Sequence, residues 1–347
     1  MSRFPFPVPF GWFCVGYPED FPVGIPKPAR YWGRHLVIWR DEREALHVQD
    51  AFCPHLGAHL GHGGTVDDCE IVCPFHGWKF DAEGTNTEIP YSERTNRKGT
   101  LRTFPVVEEN DLVMAWYHPD PDVEPMWEVP VVEEFGADNH DWSTDIRTSY
   151  EVDTTIQEMA ENGVDSAHFR YVHNTAEIPV MESYETGFPV SQMKSTQKFP
   201  TPRGVMEGRI DSTSYGPGIS LVSFSGIVDT LNFAVTTPIE ADKCIIRFNF
   251  RFKTMGDAET TRNVGNAFVQ EVHKQVLEDK PIWEHKAHLV RPALADNDGP
   301  FTKFRKWYAQ FYAEPVGDER EIYEPPWWPD RVDDAPAKAT AAARFDA

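Results

Sequence analysis

Two short Cys/His pairs stand out: Cys53-Pro54-His55 and, after seventeen residues, Cys73-Pro74-Phe75-His76. Each pair offers a thiolate and an imidazole from one loop. That set suits a [2Fe–2S] cluster with two thiolates on one iron and two neutral imidazoles on the other, an arrangement with a higher reduction potential than an all-cysteine cluster. The competing chemistry is a Cys2His2 zinc site, but zinc fingers place both cysteines first and both histidines last. Gly57, Gly61, Gly63, Gly64 and Gly77 let the backbone come close to a cluster and offer N–H donors to its sulfurs. Phe75 and Trp78 are candidate shields against water. His59 and His62 share the first loop and read as polar loop residues rather than ligands.

A second constellation lies downstream. Asn162, Asp165, His168 and His173 form N-x2-D-x2-H-x4-H. On a continuous helix the first three would share a face, whereas His173 would sit roughly 140° from His168. The helix must therefore end or distort before His173 if both imidazoles are to meet one ion. Two imidazoles and a carboxylate make the facial triad of mononuclear Fe(II), with positions left open for O2. The alternative is an amphipathic helix end carrying two ordinary histidines.

The run CPHLGAHLGHGG, followed by CPFHGWKFD, resembles the Rieske non-haem iron oxygenases, most of all the steroid-hydroxylating branch of 3-ketosteroid 9α-hydroxylase and its sterol-desaturase relatives. The resemblance implies that Cys53, His55, Cys73 and His76 hold the cluster and that His168 and His173 bind the mononuclear iron. It also implies that Asp165 bridges an iron-ligating histidine to a cluster histidine of a neighbouring subunit, with Asn162 close behind. The third iron ligand is expected in Asp296-Asn297-Asp298-Gly299-Pro300, at Asp298 with Asp296 as the alternative; Asp298 as a helix cap is the competing reading. The implied protein is a terminal oxygenase in a head-to-tail homotrimer. An NAD(P)H-dependent ferredoxin reductase would feed it, and it would use O2 to hydroxylate an apolar substrate, a steroid for preference. Sterol desaturation and side-chain or aromatic hydroxylation are alternatives. A bare Rieske electron carrier would leave residues 131–329 without a purpose.

The elements that must position these groups follow from pattern. Leu36–Trp39 and Ala45–Asp50 flank a charged turn, and Leu101–Glu108 and Leu112–Trp116 flank Glu109-Asn110-Asp111; both read as hairpins. Many short strands predict an all-β domain over 1–117, with its core from about residue 10. Four prolines in 118–130 predict a linker. From 131 to 329 the reading is a larger α+β domain, an antiparallel sheet flanked by helices in a helix-grip-like arrangement. Its helices are expected at about Thr154–Ala167, with Thr154 or Thr155 as cap and Glu158 as capping partner, at Val264–Leu277 and at Gly299–Tyr312. Residues 330–347 are Asp/Ala-rich and predicted to be disordered.

Composition sets the bounds. The chain has 347 residues, a formal charge of −22 and 40% hydrophobic residues. That charge argues against nucleic acid and anionic membranes. The carboxylates serve solubility, with docking of a basic electron donor as the alternative. No apolar run reaches the length of a membrane span, and the first residues lack the apolar core of a signal peptide. Five cysteines are too few for a disulfide scaffold, so the expected setting is the reducing cytoplasm.

Overall fold

The computed structural model describes residues 3–313 apart from 137, 138, 144, 202, 203 and 227. The tail expected to be disordered, 330–347, lies outside the described residues, as do 314–329.

The N-terminal part is built from short antiparallel strands: β1 (Gly11–Gly16), β2 (Lys27–Tyr31), β3 (Arg34–Arg40), β4 (Leu46–Asp50), β5 (Thr65–Asp67), β6 (Glu70–Val72), β7 (Lys79–Phe80), β8 (Asn86–Glu88), β9 (Thr103–Phe104), β10 (Val106–Glu109) and β11 (Leu112–Tyr117). They form three sheets, ordered β1-β11-β10, β2-β3-β4-β9 and β5-β6-β7-β8. Both predicted hairpins are present. The β10–β11 turn places Asn110 and Asp111 at φ 55° and 59°, the left-handed pair that a two-residue hairpin turn requires. Residues 118–130 carry no helix or strand.

The C-terminal part is one seven-stranded antiparallel sheet, ordered β12-β18-β17-β16-β15-β14-β13. Its strands are β12 (Ile146–Val152), β13 (Val180–Thr186), β14 (Val190–Thr201), β15 (Gly204–Tyr215), β16 (Ile219–Ser225), β17 (Thr230–Glu240) and β18 (Lys243–Phe252). Four helices accompany it: α1 (Ile156–Glu161), α2 (Ala167–Tyr171), α3 (Ala258–His285) and α4 (Phe301–Tyr308).

Two of these helices differ from expectation. The helix predicted over Thr154–Ala167 is broken: a 3-10 turn at Asn162–Val164 follows α1, and Asp165 is extended at φ −97°, ψ 99°. The Asp165 carboxylate caps the restart, accepting from the Ala167 and His168 N–H groups at 3.0 and 3.3 Å. No Thr154/Thr155 capping box forms, because Glu158 turns inward to other partners. The helix predicted at Val264–Leu277 runs longer at both ends, starting at an Asp257 cap that accepts from Thr260 N–H at 2.7 Å and ending at His285.

The sheet lies between two packing layers. One side, through Leu231, Phe233 and Val235, joins Phe13, Trp116, Phe135, Ile156, Trp307, Tyr308 and Phe311 in a single core that spans both parts of the chain. The other side packs Phe250, Phe252, Cys244 and Ile246 against Val269, Val276 and Trp283 of α3. The parts are also stitched by polar contacts: Thr237 Oγ1 donates to Cys14 O at 2.6 Å, and Trp32 N–H to Pro238 O at 2.9 Å.

Charge fixes α1. Arg305 of α4 forms a bidentate pair with Glu161 at 2.6 and 2.9 Å, both residues buried. Glu158, 1% exposed, accepts from His288 Nδ1 at 2.6 Å and pairs with Lys286 at 2.7 Å. Burial raises the Glu158 carboxyl, but the His288 hydrogen bond and the Lys286 charge outweigh it and hold it below the ordinary range. Removing one member of a buried pair strands the other, so Arg305→Ala is expected to cost about 3–5 kcal/mol, measured as a lower denaturant midpoint. A depressed folded-state value contributes stability above the ordinary glutamate range, and that stability is lost as pH falls through the folded value. Glu158→Gln should therefore be less stable than the parent at neutral pH, and the gap should close on acidification; a gap independent of pH would contradict the pairing.

Candidate iron centres

The two Cys/His loops have matching backbones. Gly57 N–H donates to Cys53 O at 2.9 Å and Gly77 N–H to Cys73 O at 3.0 Å, with the glycines at φ 74° and 71°. Cys53 N–H reaches Ala58 O and Cys73 N–H reaches Trp78 O, both at 2.8 Å. Each loop is thus a closed turn that points its cysteine and histidine the same way. Cys53 and Cys73 are 2% and 3% exposed, are free thiols, and hydrogen-bond to one another. The Cys53 thiol and the N–H groups of Phe75 and His76 pull the Cys73 thiol down to about 6 against burial, which favours thiolate.

The imidazoles complete the set. The His55 and His76 rings lie 4.6 Å apart at 70°. Both Nδ1 atoms are buried and have no hydrogen-bond partner, a cost that a metal bond would remove. Two thiols and two orphaned nitrogens facing one space fit a Rieske [2Fe–2S] cluster. Trp78 is the shield, buried and stacked on His55 at 4.7 Å and 6°. Phe75 is exposed and lies on the rim beside His76. His59 is a loop residue: its Nδ1 accepts from Gly61 N–H at 3.1 Å, and burial with His62 and His35 nearby pushes it down to about 4. Cys69 Sγ donates to Asp68.

The second centre gathers His168, His173 and Asp279, whose ligand atoms lie within 4.8 Å of one another. Because α2 stops at Tyr171, His173 swings back until the two rings are 5.2 Å apart. His173 Nε2 lies 3.3 Å from Asp279 Oδ2. The Asn162 amide nitrogen lies 3.2 Å from His168 Nε2 and donates to Asp279 Oδ2 at 3.4 Å, joining the two side chains. The far nitrogens are fixed. His168 Nδ1–H donates to Asp165 O at 2.5 Å and His173 Nδ1–H to Glu278 at 2.9 Å, so each Nε2 keeps its lone pair for a metal. Burial pushes His168 below the ordinary histidine range. Burial acts the same way on His173, but the Asp279 and Glu278 carboxylates outweigh it and raise that group. Two imidazoles and a buried carboxylate with lone pairs converging fit mononuclear Fe(II).

The carboxylate in this cluster is Asp279, not Asp298. Asp298 is exposed and accepts from Ala295 N–H at 2.7 Å, closing a turn; Asp296 is exposed as well. The glycine between them and α4 has a separate role. A Cβ at residue 299 would stand 1.6 Å from Val164 O, so Gly299 lets this strand of chain lie directly on the break before Asp165. Asp279 was missed because the predicted helix stopped at Leu277. The signal was present: Val269, Val272, Val276, Asp279 and Trp283 share one stripe of α3, and a carboxylate in a buried apolar stripe needs a partner. Asp165 sits beside His168 as expected, but its main-chain carbonyl holds the ring while its carboxylate caps α2.

Comparison with known proteins agrees with both centres. The Rieske [2Fe–2S] domain model matches residues 11–105, and the 3-ketosteroid 9α-hydroxylase C-terminal domain model matches residues 115–312. A 3-ketosteroid-9-alpha-monooxygenase oxygenase component of Rhodococcus rhodochrous is 29% identical over 318 residues, covering 88% of this chain and 80% of that protein. Cholesterol 7-desaturase of Caenorhabditis elegans is 31% identical over 339 residues, covering 88% and 77%. The crystal structure of dicamba monooxygenase bound to dicamba shares the fold with a TM-score of 0.71, 18% identity, and coverage of 87% and 96%. The chain therefore belongs to the Rieske non-haem iron oxygenases of the 3-ketosteroid 9α-hydroxylase family, monooxygenase-type enzymes with a [2Fe–2S] cluster in the N-terminal part and a mononuclear iron in the C-terminal part.

Proposed function

We propose that this protein is the terminal oxygenase of a multicomponent steroid monooxygenase, working in the cytoplasm as a homotrimer. The observation that carries this reading is the convergence of His168, His173 and Asp279 in the same chain as the two Cys/His loops. Cys53, His55, Cys73 and His76 hold the cluster; His168, His173 and Asp279 hold the mononuclear iron. Bound, the metals supply one-electron transfer and O2 activation.

The chain's own residues position that chemistry. Asp165 O and Glu278 fix the two imidazole planes, and Asn162 holds His168 and Asp279 together. In the trimer reading Asp165 would bridge His168 to a cluster histidine of a neighbouring protomer. A component of this kind needs a reductase, and an NAD(P)H-dependent one supplies the electrons. One relative is named for a 3-ketosteroid and another for cholesterol, which favours a steroid-type substrate here. Ring desaturation is the second reading, favoured by the 31% identity to the cholesterol desaturase. Among the described residues no helix is long and apolar enough to cross a membrane.

Two measurements test this. Asp279→Asn and His168→Ala are expected to keep the visible cluster spectrum while iron falls from about three to about two per chain, and Asp298→Asn should keep all three. Iron loss in the Asp298 variant, with Asp279→Asn intact, would reverse the ligand assignment. A panel of 3-ketosteroids, sterols and small aromatics, supplied with a surrogate reductase and read by product mass, should give a steroid gain of one oxygen; loss of two hydrogens selects desaturation, and oxidation of aromatics alone rejects the steroid reading.

A further inference from the structure

The loop from Ile89 to Gly99 lies against the cluster and carries charge of the wrong sign for this protein. Its members Arg94, Arg97 and Lys98 are exposed, with Glu93 the one acid among them, in a chain of net −22. Among the described residues eight other arginines pair with carboxylates, including Arg34 with Asp50, Arg40 with Glu108, Arg209 with Glu182 and Arg251 with Asp145. The side chains of these three cations have no hydrogen bond or ion pair among the described residues.

The loop is nonetheless built rather than loose. Asn86, 3% exposed, accepts from Asn96 N–H at 3.0 Å and donates to Lys79 O and Glu88 O at 3.0 and 3.1 Å. Ser92 N–H closes on Ile89 O and Gly99 N–H on Asn96 O, both at 2.9 Å. It also touches the electron-carrying end of the domain. Exposed Tyr91 accepts from Trp78 Nε1 at 2.8 Å, and the Trp78 ring stacks on His55.

We infer that this loop is the docking surface for the electron donor, and that the donor presents an acidic face. The inference rests on the oxygenase reading above and names the partner surface for it. An acidic donor meets a repulsive field from the chain as a whole, but screening cuts that field off at about 10 Å in 0.1 M salt, so an unpaired local cluster of cations decides where contact occurs. The side chains are free to pair without breaking an internal contact. With the cluster bound, one electron would pass to it from the reduced donor past Trp78, the donor being oxidised and the cluster reduced, with no bond made or broken.

The test uses the cluster-loaded full chain and an acidic plant-type [2Fe–2S] ferredoxin as probe, with basic cytochrome c as the opposite-charge control. Binding of the ferredoxin should weaken with added salt. The triple variant R94E/R97E/K98E should bind it about tenfold or more weakly at low salt, with a flatter salt dependence. Its dithionite-reduced cluster spectrum and its oligomeric mass should match the parent. Equal ferredoxin binding by variant and parent, or no binding by the parent, overturns the inference. So does a change in oligomeric mass, which would make the loop a contact between copies. Product formation by chemically reduced enzyme needs no donor, so its failure would count against the oxygenase reading and not against the loop.

Discussion

A carboxylate buried in the apolar stripe of a long helix sets the terms for the catalytic half of this protein. Asp279 is 7% exposed and sits between Val276 and Trp283 on the face of α3 that packs against the sheet. An ionised carboxylate there is costly unless it is paired. Its partners come from elsewhere in the chain: Asn162 from the turn after α1, and His173 from beyond the end of α2. The break between those helices is therefore required. A continuous helix over the same residues would carry His168 and His173 to different sides and leave the carboxylate alone.

The break is held by contacts that take no part in chemistry. Glu158 and Glu161 of α1 turn inward and are gripped by Lys286, His288 and Arg305, all from the segment that follows α3. The same segment brings Gly299 onto Val164 O. The end of the chain thus clamps the start of the metal-binding motif, and α3, which precedes the clamp, delivers Asp279. Acids that look in sequence like capping and solubility residues are instead the fixings that keep two imidazoles aimed at one point.

What could be read from sequence divides by distance along the chain. The Cys/His loops were legible because both pairs fall within Cys53–His76, where the spacing disfavours a zinc finger. The hairpins were legible from alternation and from Asn110-Asp111. His168 and His173 were legible as a pair, including the need for a helix end between them. The carboxylate that joins them was not, because Asp279 lies more than a hundred residues from its partners and local pattern favoured Asp298, a turn-forming acid next to Gly-Pro. The predicted helix over Thr154–Ala167 failed for a related reason: periodicity runs smoothly through Gly163 and Asp165, whereas the structure uses Asp165 to stop one helix and start another.

The core that runs from Phe13 and Trp116 through Phe233 and Val235 to Trp307 and Phe311 has a consequence for how such enzymes can be recombined. The cluster-bearing part has one core of its own, around Trp39, Ile71, Trp78 and Phe80, and shares a second with the sheet and with α4. A chimera that exchanged the N-terminal half for a relative's would present mismatched surfaces across that seam, where Phe13 and Trp116 share a core with Phe233 and Val235. New substrate ranges in this fold are thus more accessible by altering strands on the α3 side of the sheet, where packing is confined to the catalytic half, than by trading whole modules.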